Sequence, residues 1–149
     1  WARIGVSGAL SSPTTIAWIG NIFANDNDLK AEYPELSRSA YLSAWETGKT
    51  DWQEQHVRAA EVVISDMIKK NVVKYKGQIL ERETFKLAAV HAVAEMIFTG
   101  LGDDYEDNRI NAMKKYKAAS NKKIFNVDTN KDGRLDRVES RCKSGNFTR

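Results

Sequence analysis

Residues 51–70, DWQEQHVRAAEVVISDMIKK, decide the fold. Val57, Ala60, Ile64, Met67 and Ile68 recur at i, i+3 and i+4, the spacing that puts one apolar face on a helix. Thr50 or Asp51 is the expected cap. Lys69 and Lys70 fall in the last turn, where a cation suits the helix dipole. Downstream, a second long helix is expected from about Glu81–Thr84, lined by Phe85, Ala89, Ala92, Val93, Met96 and Ile97 and stopped by Gly100 and Gly102. A third follows the acidic turn Asp103, Asp104, Glu106, Asp107, and carries Ile110, Met113, Tyr116, Ala119 and Ser120, then Ile124 and Val127. Upstream, Ser37 and Ser39 suit the cap of a short helix with Tyr41, Leu42 and Trp45, ending near Gly48. Residues 71–80 flank Gly77 with β-prone pairs and suggest a short strand or an extended connection.

The expected fold is therefore mainly α, a small helical bundle of three long helices plus one short, with an extended N-terminal arm and a C-terminal tail. Residues 1–36 form the arm and a turn, 37–127 the bundle, and 128–149 a loop and tail. The first 25 residues carry one charge, Arg3, yet hold Trp1, Ile4, Val6, Leu10, Ile16, Trp18, Ile19, Ile22 and Phe23. A disordered tail is poor in such groups, so this segment packs either on its own core or on a neighbouring subunit. Asn25, Asp26, Asn27 and Asp28 then mark a turn or helix cap.

The 149 residues suit one domain. A single cysteine, Cys142, excludes a disulfide framework and a cysteine-built zinc site. No apolar run reaches the 18 residues of a membrane span. The opening residues show no basic leader before an apolar core, so no signal peptide is expected, and a reducing compartment is the default. Gly48-Lys49-Thr50 imitates the end of a phosphate loop, but Ser43 stands where that loop needs glycine. His91 lies in an apolar helix and reads as a core or interface histidine; His56 reads as solvent-facing. Nothing assembles a nucleophile, a base and an oxyanion site, and no enzyme is expected.

Chemistry concentrates at residues 128–139, DTNKDGRLDRVE. Ca²⁺ is a hard cation that takes six to eight oxygens. Asp128, Asn130 and Asp132 offer side-chain oxygens at positions 1, 3 and 5 of a twelve-residue EF-hand loop. Gly133 permits the sharp turn, Arg134 lends its carbonyl, Asp136 binds directly or through water, and Glu139 closes the cage with both oxygens. The same residues also suit a metal-free turn whose carboxylates cap backbone N–H groups. One loop without a pair, and an exit of only ten residues, point to a structural clip rather than a switch that opens a groove. The last fifty residues hold 12 basic and 8 acidic groups. Lys114, Lys115, Lys117, Lys122 and Lys123 form a basic face that suits non-specific phosphate contact with DNA, or simply a solvated helix surface.

The layout resembles the head-to-tail connector (adaptor) proteins of tailed bacteriophages over roughly residues 28–140. The resemblance rests on a short helix, then DWxxxxVxxAxxVI at 51–64, an extended link, and an Ala-rich helix ending in Phe98-x-Gly100-Leu101. Ala112-Met-Lys-Lys-Tyr-Lys117 and the aspartate-glycine loop complete it. It implies a virion protein of the neck, assembled in the host cytoplasm, that forms a ring of its own copies, dodecameric in the family, beneath the portal. Implied partners are the portal and a tail or stopper protein, with DNA only passing through the channel and no membrane. The alternative is a single-loop EF-hand calcium-binding protein of regulatory or buffering type.

Overall fold

A computed structural model of the chain describes residues 22–79, 81–121, 124, 125, 127, 128, 132, 142 and 143. Among these it is a small helical bundle of five α-helices. They are α1 (Asp26–Glu32), α2 (Ser39–Trp45), α3 (Gln53–Lys69), α4 (Lys86–Leu101) and α5 (Glu106–Ser120). Three are long, with 17, 16 and 15 residues, and two are single pairs of turns with 7 each. The short helix that sequence did not anticipate is α1, which grows out of the expected Asn-Asp turn. Asn25 caps it through Oδ1, which accepts from the N–H groups of Asn27 and Asp28, while Asp28 Oδ2 accepts from Asn25 N–H at 3.0 Å. This reciprocal box satisfies the orphan donors of the first turn.

Helix α4 is the axis of the bundle. It packs between α3 and α5, with α1 and α2 closing over it. Ala88, Ala89, Val90, His91, Ala92, Val93, Ala94, Ile97 and Phe98 are all buried, so burial continues round most of its circumference. Four alanines keep its surface shallow and let neighbouring backbones approach closely. Phe23, Leu29, Tyr33 and Leu36 join the same core as Trp52, Val63, Met67 and Ile97. Phe23 and Ala24 thus pack on the chain's own core; residues 1–21 lie outside the described residues.

Several local expectations need correction. Helix α3 buries Gln55, His56, Ala59, Ala60, Val63 and Met67. Of the expected stripe, Ala60 and Met67 are buried, but Val57 and Ile64 are half-buried and Ile68 is exposed, so the core line lies further round the helix than the stripe's centre. The bulk of Trp52, anchored by Nε1 donating to Leu36 O at 2.8 Å, fixes which face turns inward. His56 is correspondingly buried, not solvent-facing.

Trp52 is the cap residue of α3, and Asp51 one residue earlier accepts from Gln53 N–H at 3.1 Å. Arg38, not a serine, precedes α2. Gly100 lies inside α4 and only Gly102, at φ 99°, ends it. Helix α5 stops at Ser120, so Ile124 and Val127 lie beyond it. Residues 71–79 contain no strand. Instead α3 ends with Asn71 at φ 55°, and Asn71 and Val72 N–H donate back to Ile68 and Met67 carbonyls at 3.0 and 2.9 Å. This is the left-handed cap that lets a helix stop without orphan carbonyls.

Candidate functional site

The chain leaves α5 at Ser120 and forms β1 (Ile124–Phe125), which pairs antiparallel with β2 (Cys142–Lys143). Ile124 faces Lys143 and Phe125 faces Cys142 in register. This two-residue ladder brings together the two ends of the segment that contains residues 128–139. Its near end is tied down a second time. Gln78, buried in the short 3₁₀ turn Lys76–Gln78, donates from Nε2 to Asp128 O at 2.8 Å, and its own carbonyl accepts from Asp128 N–H at 2.8 Å. Gln78 Oε1 accepts from Lys74 N–H at 2.6 Å. One side chain therefore fastens the first position of the calcium-type loop to the connection between α3 and α4. Val127 and Asp128 are both buried.

Among the proposed metal ligands, the structure describes Asp128, which is buried, and Asp132, which is exposed. Asn130, Arg134, Asp136 and Glu139 lie outside the described residues. Among the described residues no three His, Cys, Asp or Glu side chains gather into a metal site. Carboxylates at both described positions are the hard oxygen donors calcium takes, and the fixed backbone at Asp128 gives position 1 a defined origin.

The basic residues divide. Lys114, Lys115 and Lys117 are exposed on α5, while Lys122 and Lys123 follow the helix and lie outside the described residues. Lys114 and Lys117 share a side. Lys115 sits about 100° from Lys114 and about 160° from Lys117, its ammonium 5.1 Å from the centre of the Tyr33 ring. Lys117 borders a hollow of about 220 Å³ with Val62, Met96, Met113 and Tyr116.

Beneath Lys115 lies a buried polar pair. Tyr33 Oη and His91 Nδ1 share a hydrogen bond of 3.0 Å, joining α1 to α4. Burial, aided by Glu32 and Glu35, pushes the Tyr33 hydroxyl up to about 12. Burial, then the Lys115 charge, holds the His91 imidazole below its ordinary value, so it is neutral near pH 7. A second histidine, His56, places Nε2 2.9 Å from Asp26 Oδ1, and burial again lowers its proton affinity although Asp26 opposes this. The Asp26 carboxylate also accepts from Trp52 N–H at 3.3 Å.

The far ends of α3 and α5 are joined as well. Lys70 Nζ donates to Ser120 O at 3.2 Å, Ser120 Oγ at 3.0 Å and Asn121 Oδ1 at 3.0 Å, placing a cation on the C-terminus of α5. Its dipole partner is thus the neighbouring helix as well as its own. Tyr116 donates to Asp66 between the same two helices, and its hydroxyl is pushed far up by burial and that carboxylate.

His91 is buried, as its apolar helix suggested, and Lys70 was expected at a helix end. What sequence did not single out is Gln78, Tyr33 as the partner of His91, and the reach of Lys70 to α5, each a contact across fifty or more positions. Compared with known protein families, curated proteins and solved structures, the chain matches none. No helix among the described residues is long and apolar enough to cross a membrane.

Proposed function

We propose that this chain is a structural assembly subunit of the head-to-tail connector kind that its motifs resemble. In this reading it works in the virion neck as a ring of its own copies, between a portal and a tail or stopper protein, and carries out no catalytic step. DNA passes the ring without sequence readout, and Lys114, Lys115, Lys117, Lys122 and Lys123 are the residues assigned to phosphate contact. Calcium, held by Asp128, Asn130, Asp132, Arg134 O, Asp136 and Glu139, stiffens the C-terminal segment.

The observation that supports this reading is the double fastening of that segment, by Gln78 at Asp128 and by the β1–β2 ladder. A loop anchored to the bundle at its origin and closed at its base suits a clip that holds a surface in shape. The regulatory alternative requires a helix pair that swings open when metal binds. The same pinned Asp128 favours calcium binding in its own right, so the single-loop calcium-binding reading stands second.

Light scattering on the purified protein, with calcium and with EDTA, and then with a phage portal ring, tests the proposal. A closed oligomer, or assembly onto the portal ring, is expected. A monomer under every condition that leaves the portal ring bare overturns the connector reading. A calcium-induced shift in that monomer would then promote the alternative.

A further inference from the structure

Helix α3 has apolar residues on two sides, and the described core covers only one of them. Val57, Ile64 and Ile68, with the core residue Ala60 at the groove floor, line an open groove of about 520 Å³ on its outer side. Ile22 lines the same groove. The next residue, Phe23, is anchored in the core against Phe85, ring centres 5.7 Å apart. Ile22, the first described residue, thus already stands at the groove wall, so a segment attached to it needs no linker to reach the groove.

We propose that the groove is the docking site for residues 1–21 of this same chain. The segment has the chemistry the groove takes. Ile16, Trp18 and Ile19 fall within six residues of Ile22, and Arg3 is the segment's only charge, so seating it desolvates almost no ionic group. Its reach is sufficient. The stripe from Val57 to Ile68 rises about 16 Å at ~1.5 Å per residue, a span that about five extended residues cover. Glu61, Lys69 and Lys76 edge the groove, and their long side chains can cover the segment's flanks while their charges stay in water. Attachment at Ile22 gives the segment of the same chain a high effective concentration at the groove, an advantage that a neighbour's segment lacks. The function proposed above neither requires nor supplies this contact.

The test uses the full chain with a photo-crosslinking phenylalanine in place of Ile68, prepared as an equal mixture of ¹⁴N and ¹⁵N protein. Cross-links from position 68 to residues 1–21, all within chains of one isotope, are the expected result. Cross-links of mixed isotope would show that a neighbour fills the groove, and would overturn the proposal. In parallel, chymotrypsin cleavage at Trp18 is timed for the unmodified chain and for Ile68→Lys. Ile68 is 40% exposed, so the variant keeps its core, which circular dichroism checks. Cleavage is expected to speed up about tenfold, because a lysine there weakens the docked state by about one buried aliphatic side chain. Equal cleavage rates together with no cross-link to residues 1–21 would mean an empty groove and would overturn the proposal.

Discussion

Gly100 shows how a single atom can outweigh helix propensity. It lies in the last turn of α4, where alanine would ordinarily be better by about 1 kcal/mol. A Cβ at this position would run into the six-membered ring of Trp45, whose Cε3 would lie only 2.9 Å away. Trp45 in turn packs edge-on against Trp52, ring centres 5.6 Å apart, so it cannot retreat without disturbing the core. Gly100→Ala is therefore expected to lower stability by about 1–3 kcal/mol and to change tryptophan fluorescence; a melting temperature equal to or above that of the parent would refute the packing argument. The two histidines give a second expectation at this scale. Both imidazoles bind protons less readily folded than unfolded, chiefly through burial. The unfolded chain takes up those protons as pH falls through the ordinary value of 6.5, so the stability tied to neutral His56 and His91 is complete above that pH and is lost below it. Thermal melts between pH 7.5 and 5 should show the fall, with imidazole NMR shifts placing both titrations below 6.5. Titration at 6.5 would remove the effect, and titration above it would reverse the sign.

Gln78 is where the elements meet. The connection between α3 and α4 and the start of the loop at Asp128 share its side chain and its carbonyl. Gln78→Ala leaves the buried Asp128 carbonyl without this donor, which costs about 1–3 kcal/mol, while water can take over at the Lys74 N–H of an exposed residue. Hydrogen exchange should quicken at the Asp128 amide while the α4 amides keep their protection; unchanged exchange there would mean that the backbone bond to residue 78 and the ladder hold the loop without the side chain. Nothing in the sequence near Gln78 announces this role, because its partner is fifty residues away and a glutamine has no motif of its own. The long helices were legible because their apolar spacing is a local property. The inward face of α3 was legible only in part: Ala60 and Met67 are buried as expected, but the helix has apolar residues on two sides and the choice between them is made by Trp52 and its bond to Leu36. The extra helix α1 was visible only as its cap, because seven residues offer too short a window for periodicity. The calcium-type loop was the most legible feature of the candidate site, as six ligand types fall at fixed spacing; the means of fastening it was the least.

At the scale of the whole molecule, the question is whether the C-terminal segment adds to the stability of the bundle. The bundle has its own core around α4, and Lys70 and Tyr116 already join α3 to α5. The loop is coupled to that core through Asp128 and the buried Val127 beside it. A ligand that binds only the folded loop must therefore stabilise the folded chain as a unit, by RT ln(1 + [L]/Kd), about 2.7 kcal/mol at a hundredfold excess over Kd. Calcium is expected to raise the melting temperature, and magnesium to raise it less, since the smaller ion gives up its water reluctantly and demands a stricter geometry. If Glu139 closes a calcium cage with both oxygens, as the loop spacing proposes, Glu139→Gln should abolish most of the calcium shift while leaving the melt in EDTA unchanged. This pairing separates a metal effect from a general loss of stability. If the parent chain melts at the same temperature with calcium and with EDTA, the carboxylates at 128–139 serve backbone N–H groups instead, and any ring must be held by its helices.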